Sequence, residues 1–167
     1  MARRAFIPYP DKRLRSAAAP VAAVTETIQM IWDDMVETMD AMPGYGLAAP
    51  QIGIMLRLAV VDCSDKRGQA VRMANPEVLH ASIQRRKHEE ASPNLPGVSA
   101  LIERPRAVTV RFLNEVGEVE ERDFVSLWAT SVQHQIDHLN GKMFIDHLSP
   151  LRKKMLVAKA DKARRAS

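Results

Sequence analysis

The stretch Gln133-His134-Gln135-Ile136-Asp137-His138-Leu139 places two histidines four residues apart. On a helix that spacing sets both imidazoles on one face, one above the other, within reach of a single metal ion. In the H-E-x-x-H pattern of zinc hydrolases, the residue after the first histidine is a glutamate that acts as general base toward metal-bound water. Here that residue is Gln135, a neutral amide with no usable basicity near neutral pH. The stretch has the ligand spacing of a metallohydrolase and lacks its base.

Working outward, Ser126 to Asn140 reads as the helix that carries this stretch, and Gly141 suits its left-handed C-terminal cap. Ser149-Pro150 opens a further helix, with serine at the N-cap and proline in the first turn. Upstream, Thr25 to Met42 reads as an amphipathic helix. Ile28, Ile31, Trp32, Met35, Met39 and Met42 recur at three- and four-residue spacing, with acids on the other face. A Met and Trp stripe of this kind reads as core, and Pro43-Gly44 ends the helix. Leu56–Asp62 is apolar and β-branched, Ala107–Asn114 turns Val108, Val110 and Phe112 inward, and Asn114–Gly117 leads into a strand over Glu118–Phe124. Strands packed on a central helix that carries the two histidines, with helices toward both ends, predict an α+β fold.

Composition bounds the rest. A chain of 167 residues with 46% hydrophobic content reads as one domain over residues 1–167, with residues 150–167 as a basic C-terminal helix and tail. No apolar run reaches the roughly 18 residues that span a bilayer, and the start Met-Ala-Arg-Arg-Ala-Phe lacks a signal-peptide core. No membrane association is expected. The lone Cys63 excludes an intramolecular disulfide and fits a reducing, cytoplasmic setting. It closes an apolar run, which favours a packed strand-end residue over a ligand or nucleophile. The net charge of +4 is concentrated after Leu151, where Arg152, Lys153, Lys154, Lys159, Lys162, Arg164 and Arg165 face the single acid Asp161. That run is either a solvated helix face or a contact for RNA or another polyanion. No aromatic residue interleaves with the bases, so stacking on nucleic acid finds no support, and direct DNA binding is not expected.

Three segments in order now carry a resemblance. Gly44-Tyr45-Gly46-Leu47-Ala48-Ala49-Pro50-Gln51 is similar to the peptide deformylase motif G-x-G-L-A-A-x-Q. Gln133 to Gly141 is similar to that family's Q-H-E-x-D-H-L-x-G. Between them, Glu90-Ala91-Ser92-Pro93-Asn94-Leu95-Pro96-Gly97 lies where the family has E-G-C-L-S-x-P-G. The resemblance runs from about Pro10 to Lys154. It implies a peptide-deformylase-like fold, with antiparallel sheets packed around the central H-x-x-x-H helix. It also implies a metal-dependent hydrolase that removes the formyl group from N-formylmethionine of nascent chains during translation. The metal of such a protein (iron, zinc or nickel) is held by the cysteine and both histidines.

Carried onto this chain, the resemblance gives His134 and His138 as metal ligands, Ser92 at the third ligand position and Gln135 at the general-base position. Gln51 is the oxyanion donor and Glu90 supports the site, with Arg104 placed to pair with it. Gly44, Tyr45, Gly46, Leu47, Leu127, Thr130 and Ser131 fall where substrate is bound. The departures are equally specific. Ser92 is a far poorer ligand than a thiolate. Pro93 has no N–H to offer an oxyanion, Ala91 replaces a glycine, and Ser99 stands where the family often has an arginine. Loss of a general base costs about 10²–10⁴ in rate, and loss of one oxyanion donor about 10²–10³.

Asp137 projects away from the metal face, His88 lies four residues before Ser92, and Glu90 is the surviving carboxylate. His134 and His138 read either as ligands or as core histidines donating to carbonyls or to Glu90. Gln51 needs buried partners if no oxyanion takes it, and Gly44 and Gly46 supply either positive φ or close approach. The main expectation is a pseudoenzyme, a deformylase-like protein impaired or inactive in hydrolysis. An active deformylase or related amidase with a rebuilt metal site is one alternative. A non-enzymatic module binding a formylated peptide, a nascent chain or, through the basic helix, the ribosome is another.

Overall fold

The structure, a computed structural model, describes residues 2–166. Met1 and Ser167, the ends of the expected domain, lie outside the described residues.

Helix α1 spans Glu26–Ala41, opened by Thr25, whose side-chain oxygen accepts from the Ile28 amide. Ile28, Trp32, Met35 and Met39 are buried as the periodicity predicts, while Ile31 and Met42 are half-buried. One acid breaks the pattern. Asp34 is buried because it takes the Ala2 amide and the Arg4 guanidinium of the N-terminal segment.

A five-stranded antiparallel sheet follows in the order β1-β2-β3-β6-β7. Its strands are β1 Gly46–Ala48, β2 Leu58–Val61, β3 Val71–Ala81, β6 Ala107–Leu113 and β7 Val119–Val125. Both faces of the sheet are covered, and β2 shows how. Leu58 and Val60 pack with α1, whereas Ala59 and Val61 pack with helix α2, Ser126–Leu139. Period-2 alternation sends successive side chains to opposite faces, so every residue of this strand is apolar and buried. The β6–β7 hairpin turns at Gly117, where φ is 81° and the amide bonds the Asn114 carbonyl.

The remaining strands, β4 Arg85–Glu90 and β5 Ala100–Pro105, form a separate two-stranded sheet. A core of Leu95, Val98, Ala100, Ile102, Met143 and Phe144 lies beneath this hairpin. Helix α3, Pro150–Ala166, closes that core with Ala160. Helix α2 therefore lies between the large sheet and the hairpin, as the α+β reading expects. Among the described residues no helix is long and apolar enough to cross a membrane.

Gly141 ends the α2 turn at φ 76°, and a Cβ there would stand 2.8 Å from the backbone of Arg15 and Ser16. Gly68 has a similar φ of 70° with nothing within 4 Å of its Cβ position. In urea denaturation, Gly68→Ala is expected to cost about 1–2 kcal/mol, and Gly141→Ala at least about 3 kcal/mol because the clash adds to the strain. Equal losses would show that the contact with residues 15 and 16 does not constrain the cap.

Candidate active site

The three motif segments converge on a cleft of ≈ 400 Å³ between β1, the β4–β5 hairpin and α2. Gly44, Tyr45, Gly46, Gln51, Glu90, Ser92, Leu127, Thr130, Ser131, His134 and Gln135 all line it, as do Met42, His88, Glu89, Ala91 and Pro93. Helix periodicity makes this possible. The Ala129, Val132, Ile136 and Leu139 stripe of α2 packs on the sheet, which leaves Thr130, Ser131, His134 and Gln135 for the cleft. Leu47 is the exception among the expected substrate-binding residues. It is fully buried against α1 and does not line the cleft, because alternation along β1 turns it to the opposite face of the sheet from Gly46. Gly46 works by close approach and not by positive φ. A Cβ there would sit 2.6 Å from both Gln135 Nε2 and Ser131 Oγ, so only a bare backbone lets β1 and α2 meet at the floor.

Behind the cleft lies a buried ion network. Arg104 donates through Nε and Nη2 to the two oxygens of Glu90 at 2.7 and 2.9 Å, and through Nη1 to Asp137 at 2.9 Å. Glu90 Oε1 also receives His134 Nδ1 at 2.8 Å. Burial by itself would raise the Glu90 carboxyl, but the bonds from His134 and Arg104 outweigh it and bring the pKa down to about 2. An ionised carboxylate only accepts, so His134 carries a proton on Nδ1 and points Nε2 away from Glu90. Asp137 is likewise held low against its burial, by His147 and Arg104. It faces away from the cleft, as the helix spacing requires.

His138 is fully buried and neither ring nitrogen has a hydrogen-bond partner. Burial first, and the neighbouring His134 second, push its pKa well below the ordinary value, so the ring stays neutral. The two imidazole centroids are 5.0 Å apart. The expected third ligand is different. Ser92 Oγ donates to Asn94 Oδ1 at 3.1 Å and accepts the Asn94 amide at 3.3 Å, so the hydroxyl is committed to its own loop. Catalytic metal sites generally keep three protein ligands plus water. The described residues contain no group of three or more His, Cys, Asp or Glu side chains that could hold a metal. The imidazole pair fits two positions of such a set, and among the described residues no strong donor stands at the third. His88 lines the cleft half-buried on the same side of β4 as Glu90 and does not complete the set.

Asn94 was not singled out by sequence reading, yet it organises the second segment. Its Oδ1 receives Gln51 Nε2 at 2.9 Å, and its Nδ2 donates to the Ile7 and Gln51 carbonyls. Gln51 Oε1 accepts the Ala48 amide. One hydrogen of the expected oxyanion donor is thereby occupied within the protein. The signal available was an amide at the position where the resembled motif has serine. Gln135 is nearly fully buried with Oε1 unpartnered. Cys63 is half-buried near the Tyr45 carbonyl, and burial lifts its thiol to about 12, so it is no nucleophile. Ser99 is exposed.

A family model described as polypeptide deformylase matches residues 4–154. The chain is 43% identical to a peptide deformylase of Rhodopseudomonas palustris, with 98% of this chain and 95% of the relative covered. It superposes on the crystal structure of a peptide deformylase from Legionella pneumophila with a TM-score of 0.92 at 39% identity, covering 99% and 97% of the two chains. A Met-Ala-Ser-bound peptide deformylase from Acinetobacter baumannii aligns with a TM-score of 0.82 at 31% identity, covering 87% and 98%.

Arg104→Leu leaves buried Glu90 and half-buried Asp137 without their guanidinium, and is expected to cost about 3–5 kcal/mol. Arg111→Ala at the exposed pair with Glu77 is expected to cost less than about 1 kcal/mol. Stability should also depend on pH in two steps. Below about 6.5, the ordinary value for histidine, the unfolded chain takes up a proton that buried His138 refuses, so stability falls. Below about 4.5, the ordinary value for glutamate, protonation of the unfolded chain removes the stabilisation from Glu90, until its folded value near 2 is reached. Circular-dichroism melts between pH 3 and 8 check this, and an unchanged melting temperature across that range would overturn it.

Proposed function

The chain belongs to the polypeptide deformylase family, and we propose that within it this protein binds a peptide end in its cleft with little or no hydrolysis of the formyl group. The observation that carries the reading is the chemistry of the cleft floor. Ser92, Pro93 and Gln135 stand where the resemblance implies a thiolate ligand, an oxyanion N–H and a proton shuttle. Charge supports it as well. A divalent cation, a thiolate and a carboxylate sum to zero, and so do a serine, a glutamine and no cation. The floor is thus electrically consistent without the family's iron, zinc or nickel, which would find strong donors only in His134 and His138. What the residues themselves do is orient and exclude. Glu90 fixes the His134 ring, Gly46 admits close backbone approach, and the Gln51 and Gln135 amides present hydrogen-bonding groups to a guest.

A second reading is an active deformylase or related amidase with a rebuilt metal site. It is supported by near-full-length identity to peptide deformylases and by retention of His134, His138, Glu90 and Gln51. Formylated nascent chains are the ligand class that the family suggests. Their synthesis sets the compartment as the cytoplasm. The exposed Arg152, Lys154, Lys159 and Lys162 of α3 support a ribosome contact, which charge reversal and co-sedimentation would examine.

Metal analysis of the purified protein and turnover of a formyl-Met peptide separate the two readings. The expected result is substoichiometric metal and no measurable deformylation. Gln135→Glu alone should remain inactive, whereas Ser92→Cys, Pro93→Leu and Gln135→Glu together should recover metal and part of the rate. Stoichiometric metal with turnover in the unaltered protein would establish the second reading. Full activity from the single change would show that the Ser92–Pro93 segment is not limiting.

A further inference from the structure

We infer that Asn94 is the positioning residue that requires a proton donor at position 92, and that it thereby keeps an anionic metal ligand off the cleft floor. The inference rests on the reading of that floor as one that works without the family's metal.

The Asn94 amide is buried and cannot turn. Its Nδ2 donates to the Ile7 carbonyl at 2.7 Å and to the Gln51 carbonyl at 2.9 Å. Carbonyls only accept, so these partners assign the nitrogen to their side. Gln51 fixes the other side. Its Oε1 takes the Ala48 amide, which leaves Nε2 to face Asn94 Oδ1 at 2.9 Å. A flip would break all of these bonds and set Oδ1 against two carbonyls. Each buried group left unsatisfied in that way disfavours the flipped state by roughly five- to hundredfold. The Tyr9 amide also bonds the Asn94 carbonyl at 2.8 Å, which pins the backbone.

Position 92 meets the result. The fixed Oδ1 accepts from Ser92 Oγ at 3.1 Å, and the Asn94 backbone amide donates to the same Oγ at 3.3 Å. Residue 92 is thus asked for one proton and offered another. A hydroxyl does both. A thiolate or a carboxylate only accepts, so it would hold its charge against Oδ1 in a place shielded from water. Turning it instead toward a cation would strand the buried Asn94 amide without its acceptor.

The residue type at 94 decides this polarity. The resembled motif has serine there, whose single hydroxyl rotates and can give its proton to an anion at 92. Asparagine held by Ile7 and Gln51 presents only oxygen to that side. Ser92 and Asn94 are therefore a coupled pair, and a cysteine restored at 92 leaves half of the change in place.

The test is a double-mutant cycle on the full chain. Zinc ion alone is titrated calorimetrically into the unaltered protein, Ser92→Cys, Asn94→Ser and the two together. Asn94→Ser by itself is expected to leave zinc affinity unchanged. Combined with Ser92→Cys, it should raise affinity roughly tenfold above what Ser92→Cys gives alone, a coupling in the range found for residues of one network. A residue that only braces its loop would not produce that excess. Equal zinc affinity of Ser92→Cys with and without Asn94→Ser would overturn the inference and leave the metal-free reading standing. Tight, stoichiometric zinc in the unaltered protein would overturn both. Should Asn94→Ser not fold, the chain with native Asn94 supplies the test. Ser92→Asp is then expected to melt at least about 5 °C below Ser92→Asn, with zinc present as well as without. Zinc that restores Ser92→Asp to the melting temperature of Ser92→Asn would overturn the inference.

Discussion

Arg104 carries a full charge at a position almost without solvent, and the architecture around the cleft follows from how that charge is answered. A buried guanidinium needs several acceptors in fixed directions, since removing it from water costs more than one imperfect pair returns. Glu90 on β4 meets it with both oxygens, and Asp137 on α2 with one. One cation thus joins the two strands of the hairpin to the central helix. The β4–β5 hairpin would be marginal alone, because two strands rarely suffice, and β4 contributes no large apolar side chain. The same pairing fixes Glu90, and Glu90 fixes the orientation of His134. Cleft geometry is therefore a consequence of charge compensation behind it.

The elements legible in the sequence are those whose local signals agree with their tertiary role. Helix α1 announces itself by its Met and Trp stripe and Thr25 cap, α2 by Gly141 behind it, and α3 by Ser149-Pro150. The β6–β7 hairpin shows alternation on either side of Asn114–Gly117. Strand β4 was missed because Arg85-Arg86-Lys87-His88-Glu89-Glu90 has no apolar alternation. Its alternation is one of polar contacts, with Arg86 reaching Thr130 and Glu90 reaching Arg104 and His134. Strand β3 was hidden by Asn75, which adopts φ 51° and bonds Val21 across the chain, and by the Pro76 that follows.

The site was legible residue by residue but not as a set of bonds. Motif spacing reports which side chains converge: His134, Gln51 and Glu90 line one cleft, and the His138 ring lies 5.0 Å from that of His134. Spacing says nothing of what a neutral hydroxyl or amide does once its partner changes. That Ser92 and Gln51 both turn to Asn94, and that Leu47 faces the core, are facts of loop and strand geometry.

The changes on the floor make physical sense only together. Suppose Gln135 alone were a carboxylate while Ser92 stayed neutral and no cation were present. A second buried anion would then share the cavity with Glu90, and Arg104 is already committed to Glu90 and Asp137. Like charges in low dielectric force one of them to protonate or the structure to loosen. A thiolate at Ser92 without a cation would meet the same penalty. Serine, glutamine and a neutral His138 avoid it, at the expense of the groups that would move protons. The Gln135 amide, which lines the cleft with Oε1 unpartnered, then remains as open hydrogen-bonding capacity of the site. Buried polar groups of that kind discriminate between guests by what they leave unsatisfied. If the cleft holds a peptide end as proposed, a floor neutral in charge with unmet hydrogen-bonding groups is the part of it that would read that end.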